Sequence, residues 1–481
     1  MSRWRPLLGC SAAALLLTAG AGAQVAIPGG QPDPAAAAGR GVRRHLQRST
    51  PSTSRLQPSD LLYLGAFRLP DRAEGAPEVA TWDYGGQALT YRPDGDLNGA
   101  ADGFPGSLFG TGLDTEHWVS EIDIPPPAIS PTRDLAALPT ASTLQPFVDL
   151  RGTLFTPFTE IPRVGLAYLD TTQTGPRLHM AWGQHFQEDP SLQLPSHAWC
   201  DPTLSTPHLE GAWWIGDASL YAVNGYLFEI PEGWATAHVG GRRLATGRFR
   251  DGGWSGMGPA LFAYAPWLSG NPPAPGTRLT TVPLLLYSST LQEQTSFHAD
   301  GYQHCDEWEG GAWITTPSGH SAVVFAGTKG VGEYYWYGWL DPSGNRMPCV
   351  EMNPGGDPMC FQADGSACPP ALVRECAGHT SERGWWSART AAQILFYDPA
   401  DLAAVAAGTR APHEPQPYAV LTIDDHLFLP DPPAEADAIG RGVQRRFRLG
   451  ETAFDRARGH LFVVERFGDG TRPLIHVWKA R

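Results

Sequence analysis

From about Ser59 to the end, short strand-sized apolar runs are separated by Gly, Pro, Asn and Asp, and one of them, Trp118–Pro125, alternates apolar and polar positions. Strand-sized apolar runs punctuated by turn residues predict β-strands. The densest stretch is 302–329, where a knot of ionisable and aromatic residues runs into Gly310-Gly311. The apolar runs Ala312–Thr315 and Ala322–Ala326 come next, joined by Pro317-Ser318-Gly319-His320, and predict a β-hairpin.

The same arrangement recurs. A first unit runs from Trp82 through Ser107–Gly112 to Trp118–Pro125. A second begins at Arg163, continues at Arg177, and ends with Tyr221–Pro231, whose F-E-I-P matches the E-I-D-I-P that closes the first. A third spans Gly253–Pro266 and Val282–Ser288. The fourth holds the 302–329 hairpin and resumes at Gln393 and Pro417; the fifth is built from runs at Arg448, His460 and Pro473.

Strand-dominated units at long spacing predict an all-β propeller, with five blades as the reading and six as the alternative if 188–290 hides another unit. The last unit has three strands, and the lone strand 61–70 has no unit of its own. Pairing 61–70 with the C-terminal blade is expected to close the ring and remove a free edge. A parallel β-helix fits poorly with repeats this long and irregular, and a jelly roll or paired sandwiches would not explain the closing strand.

The stretches Y-Q-H-C-D-E-W-E-G-G-A-W (302–313), A-G-T-K-G (326–330), I-L-F-Y-D-P-A-D-L-A-A-V (394–405) and T-A-F-D-R-A-R-G-H-L-F-V-V-E (452–465) resemble a group of exported bacterial proteins with propeller folds. The resemblance covers most of the chain after residue 59. It implies fold and compartment, and supplies no catalytic residues. In architecture the chain is also similar to five-bladed glycoside hydrolases such as arabinanases and invertases, which use acidic residues at the axis, but no motif permits a transfer residue by residue.

The ends and the composition add a compartment. Arg3 and Arg5, the apolar Leu7–Ala19 and the small residues Ala21-Gly22-Ala23 mark 1–23 as a secretory signal peptide. Residues 24–58, rich in Pro, Ala and Arg, are expected to be a disordered tether. Residues 59–481 then form a single propeller domain with a Cys-rich insertion at 340–390. No stretch approaches the roughly 20 apolar residues of a spanning helix, so no membrane span is expected. The protein is expected to be secreted or periplasmic.

The formal net charge of −14 argues against nucleic acid as a partner. Lysine occurs only at 329 and 479, which disfavours lysine-based covalent chemistry. Cys200, Cys305, Cys349, Cys360, Cys368 and Cys376 remain after signal removal and are disulfide candidates in an exported chain. A zinc cluster is the alternative, but no C-x-x-C is present.

Candidate chemistry sits where each unit's first strand begins, because in a propeller that strand lines the channel. The lead-ins are Trp82-Asp83 before Gly85, Glu160 before Gly165, Trp254-Ser255 before Gly256, Trp308-Glu309 before Gly310, and Glu451 just after Gly450. Asp83, Glu160, Glu309 and Glu451 are expected in one acidic funnel, with His304, Asp306 and Glu307 at its rim. Such carboxylates suit glycosidic cleavage, one protonated and one ionised; Glu309 and Asp83 lead, with His304 assisting. The alternative is that they cap strands or bind a cation.

Trp82, Trp308 and the run Tyr334, Tyr335, Trp336 and Tyr337 offer flat faces to a sugar, although scattered tryptophans also wedge between blades. Asp94, Asp96, Asn98 and Asp102 match the first half of a calcium loop whose twelfth position is Pro105. Calcium is therefore the leading cofactor candidate, with a zinc or copper site at the histidines as the alternative. Histidines at 179, 185, 197, 208, 298 and 304 lack helical metal spacing. No nucleophile elbow, phosphate loop or dinucleotide fingerprint is present.

The best functional reading is an exported propeller that binds an extracellular glycan in an acidic, aromatic axial funnel. A glycoside hydrolase or polysaccharide lyase of the same shape is the first alternative. A protein-interaction platform is the second.

Overall fold

Runs of Val, Ile, Leu, Thr and aromatic residues between Gly- and Pro-rich turns pair as antiparallel sheets, since branched and flat side chains fit a pleated, half-buried surface. The computed structural model describes residues 55–96, 99–155, 162–184, 194–218, 222–248, 257–287, 297–303, 305–334, 387–430 and 445–481. The segments expected to be a signal peptide and a tether lie outside the described residues apart from 55–58, as does most of the stretch 340–390 expected to be a Cys-rich insertion. Packing begins at Arg55: Leu56 is fully buried, and its N–H donates to the Ser321 carbonyl at 3.2 Å.

The first sheet consists of β2 (Leu89–Arg92), β3 (Ser107–Thr111), β4 (Val119–Ile122) and β5 (Thr143–Val148). The second consists of β6 (Pro162–Thr171), β7 (Gly175–Gln184), β8 (His197–Cys200) and β9 (Glu210–Ile215), with the short β13 (Arg278–Leu279) parallel on its outer edge. The third holds β10 (Leu227–Glu229), β11 (Leu244–Thr246), β12 (Leu261–Tyr264) and β14 (Thr281–Leu285). The fourth holds β15 (Glu307–Thr315), β16 (Ser321–Tyr334), β17 (Ser387–Tyr397) and β18 (Ala419–Thr422). In the fifth, β19 (Leu449–Asp455), β20 (His460–Asp469) and β21 (Arg472–Ala480) are joined at the outer edge by β1 (Leu61–Arg68). The described helices are α1 (Glu232–His238) and α2 (Pro399–Ala406).

The first strands make the ring. β2 packs on β6, β6 on β10, β10 on β15, β15 on β19, and β19 returns to β2. Five apolar clusters fill the wedges between neighbouring sheets, including one of Leu89, Tyr91, Val464 and Ile475 that joins the fifth sheet to the first. This is a five-bladed β-propeller. Trp182, Trp199, Trp213, Trp308, Trp313 and Trp478 are fully buried in these wedges, where their area strengthens contact between blades.

The expected hairpin is present and longer than predicted. Thr315 pairs with Ser321, and the turn is tied by Thr316, whose hydroxyl accepts the His320 N–H at 3.0 Å. β1 pairs antiparallel with β21 from Leu61↔Ala480 to Arg68↔Leu474. Its far edge is covered by the connection after β4, with Ala66 and Ala128 exchanging two backbone hydrogen bonds at 2.9 and 3.0 Å. A covered edge cannot template aggregation.

The third unit departs from the sequence expectation. Tyr221–Pro231 does not close the second blade; its Leu227–Glu229 is the inner strand of the third. The inner strand expected after Gly256 is β12, third in its sheet. The strands here are three to five residues long, too short to show alternation, and α1 interrupts them.

One cysteine expectation also changes. Cys200 is a free, buried thiol in β8, within the core between the first two blades, and burial pushes its pKa upward. It does not enter the expected disulfide framework. Cys305 is half-buried just before β15, and the other four cysteines lie outside the described residues. Among the described residues, no helix is long and apolar enough to cross a membrane.

Candidate functional site

The inner strands meet at glycines because backbone must touch backbone there. A Cβ on Gly165 would stand 1.9 Å from the Gly225 carbonyl oxygen, one on Gly450 2.1 Å from that of Gly86, and one on Gly310 2.7 Å from that of Gly450. Each blade contributes one glycine to this girdle: Gly86, Gly165, Gly225, Gly310 and Gly450. Among the described lead-ins picked from sequence, Glu309 and Glu451 adjoin a girdle glycine and Asp83 stands three residues before one, while Glu160 lies outside the described residues. The third lead-in does not belong to the girdle, because β12 rather than β10 was expected as the inner strand of that blade.

Residues just before the girdle glycines gather at one end of the axis. Glu309 is 7% exposed, and its two carboxylate oxygens accept from Arg163 Nη1 at 3.0 Å and Arg466 Nη1 at 3.5 Å. Arg466 also reaches the Asp114 carboxylate at 3.7 Å. Its guanidinium lies over the Phe447 and Phe467 rings, 5.2 and 5.3 Å from their centroids. Glu309 comes from the fourth blade, Arg163 from the second, Arg466 from the fifth and Asp114 from the first. Burial pushes the Glu309 carboxyl upward and Glu307 adds to the push, while Arg466 and Arg163 pull it back. The space left beside it, bounded by Gln87, Tyr226 and Trp308, is about 10 Å³, room for one water.

Glu451 lies deeper, on the girdle itself. It is fully buried, and Oε1 accepts from the Gly311 and Thr452 N–H groups at 2.8 Å each. Its other oxygen has no hydrogen-bond partner among the described residues. Burial raises its pKa well above the ordinary carboxyl value, and nearby Glu309 raises it further, against the two backbone donors. Its burial therefore favours the neutral carboxyl over the carboxylate.

Asp306 is also committed. It is 1% exposed and accepts from Lys329 Nζ at 3.0 Å, from the Gly330 N–H at 2.8 Å and from the Gln303 N–H at 3.0 Å. These bonds pin the lead-in of β15 to the far half of β16. Glu307, the first residue of β15, is half-buried.

Asp83 is a strap between blades. It accepts from Thr81 Oγ1 at 2.8 Å and from the hydroxyl of Thr471 in the β20–β21 turn. It shares no described partner with Glu309. Trp82 and Trp308 are 3% and 2% exposed and belong to the cores between blades. Tyr334 ends β16; Glu160, His304, Tyr335, Trp336 and Tyr337 lie outside the described residues.

The Asp94 turn is held by protein contacts: Asp94 Oδ1 accepts from Arg92 Nε at 3.0 Å and from the Tyr168 hydroxyl at 3.2 Å. Asp102 accepts the Phe104 N–H at 2.8 Å. Asn98 lies outside the described residues. Among the described residues, no group of three or more His, Cys, Asp or Glu is arranged to hold a metal ion.

Sequence reasoning found the acids and missed the arginines that answer them. The signal was available in R-V-G at 163 and R-L-G at 448, where arginine stands two residues before the girdle glycine. Arg448 repeats the theme, 4% exposed, with Nη1 on Asp424 at 2.9 Å and Nε on the Thr390 hydroxyl at 2.9 Å. Of the four acids expected in one funnel, Glu309 is thus held in a charged node with Arg163, Arg466 and Asp114, Glu451 lies deeper, Asp83 straps two blades, and Glu160 lies outside the described residues. No protein-family model and no curated protein matches the chain.

Proposed function

We propose that this exported propeller binds an extracellular ligand, a glycan by preference, over the face that the charged node floors, and that it does not cleave it. The observation carrying this reading is that both oxygens of Glu309 are held by Arg163 and Arg466. A glycosidic acid/base pair needs one carboxyl in reach of the leaving oxygen and a second open to water or to the anomeric carbon. Glu309 is clamped, Glu451 is sealed from solvent, and Asp83 is tied to two threonines.

The support for a glycan lies in the sequence of the aromatic run Glu333–Trp339, most of which lies outside the described residues. Flat aromatic faces beside hydrogen-bonding groups suit sugar rings.

The test is a thermal-shift screen of the mature protein against an oligosaccharide panel, followed by product analysis for each glycan that stabilises it. A ligand at 100 times its Kd adds about 2.7 kcal/mol. The expected result is stabilisation without new reducing ends or unsaturated products. Cleavage by the wild type that Glu309→Gln abolishes would overturn the reading in favour of a hydrolase or lyase. Silence across the panel would overturn the glycan and favour a protein partner.

A further inference from the structure

Below the girdle, at the opposite end of the axis, the same five strands diverge around a cavity of about 280 Å³. Each inner strand contributes one aromatic residue to its wall: Tyr91, Tyr168, Phe228, Trp313 and Phe454. Three of these stand three residues after their girdle glycine; Phe454 stands four after and Tyr91 five after. Tyr91, Phe228 and Trp313 are at most 8% exposed and belong to the apolar wedges behind the wall, while Tyr168 and Phe454 are half-buried and leave part of their surface open.

The mouth is polar and already organised. Glu229 accepts from Arg243 Nη2 at 2.6 Å and from Arg456 Nε at 3.3 Å, and Arg456 Nη1 donates to the Trp313 carbonyl at 3.2 Å. Asp170, at the end of β6, is exposed on the same mouth.

We infer that this cavity is a second binding site, independent of the glycan face at the other end of the axis, for a single neutral monosaccharide or similar cyclic polyol. The half-buried Tyr168 and Phe454 offer aromatic surface to the C–H face of a sugar ring, and the fixed guanidinium and carboxylate groups at the mouth donate to and accept from its hydroxyls. The arginines are answered by Glu229 and the mouth carries Asp170 besides, so an anionic sugar gains no unpaired cation. At about 280 Å³ the cavity lies just under the roughly 300–1,000 Å³ of sites for larger ligands, which fits one ring rather than an oligosaccharide. Side chains held by existing contacts lose little entropy when the ligand arrives.

The test is ligand-observed NMR and calorimetry on the full protein with glucose, galactose, mannose, xylose, arabinose and inositol as probes. At least one should bind in the low-millimolar range or tighter. Phe454→Ala and Arg456→Gln should each weaken that binding about tenfold, as loss of one contact at a preorganised site does. Glu74→Gln, exposed and remote from the axis, should leave it unchanged. If Phe454→Ala does not fold, Asp170→Asn at the exposed rim takes its place and should also weaken binding. No binding by any probe up to about 50 mM, far above the affinity expected for one ring, would overturn the inference. So would binding that neither the wall nor the rim variants alter.

Discussion

The two ends of the axis are built by the same five strands and differ in the residues that flank each girdle glycine. On one side of the girdle, Glu309, Arg163, Arg466 and Asp114 converge from four blades with balanced charge. On the other side, one aromatic from each blade stands back and leaves about 280 Å³ open. Acidic residues at the lead-ins therefore do not by themselves make an acidic channel. The deciding feature is whether a neighbouring blade sends a guanidinium to the same level. Buried charge without such a partner would be too costly to keep.

The girdle separating the two ends is the most sensitive place to break this contrast. Gly165→Ala puts a methyl 1.9 Å from the Gly225 carbonyl, in contact with backbone that cannot swing aside. It should cost about 4 kcal/mol or more, or prevent folding, as overpacking with no room to relax does; urea unfolding reads this directly. A loss under about 1 kcal/mol would mean that the blades do not meet there.

A pH series sharpens the contrast at Glu451. Its carboxyl is raised in the native state, so the folded protein keeps a proton that the unfolded chain releases above about pH 4.3. Its contribution is complete below that value and is lost as pH rises toward the native pKa. Glu451→Gln retains the oxygen that accepts from Gly311 and Thr452. It should flatten the fall in urea midpoint between about pH 4.5 and pH 8. An unchanged slope would place the titrating group elsewhere.

The smallest effect is expected at the open end. Arg456 and Glu229 have 31% and 28% exposed side chains, so water screens their pairing. Arg456→Gln should cost at most about 1 kcal/mol of stability, while weakening monosaccharide binding about tenfold. A larger loss of stability would make that end a second structural node.

How much of the molecule can be read in the sequence depends on strand length. The fourth and fifth blades, with strands such as Ser321–Tyr334 and His460–Asp469, show as apolar runs of strand length between turn residues. The third has strands of three and four residues, Leu227–Glu229 and Leu261–Tyr264 among them, and its registration does not show in the pattern. Glu309 and Glu451 stand out because each adjoins a glycine. The environment of Glu309 does not, because Arg163 and Arg466 lie 146 and 157 residues from it in the chain, and only the closed ring brings all three together. The aromatic collar is illegible for a related reason: its spacing from the glycine changes from blade to blade.

The central claim is that the axial charges hold blades together rather than perform chemistry. A double-mutant cycle between Glu309→Gln and Arg466→Gln, read by urea unfolding, tests it most directly. Each single variant removes one charge from the buried node, leaving Glu309 with Arg163 or Arg466 with Asp114, and should cost about 2–3 kcal/mol, with a coupling energy of about 1 kcal/mol. Coupling below about 0.5 kcal/mol, joined to loss of an activity the wild type possesses, would contradict the account and return Glu309 to the role of a catalytic acid.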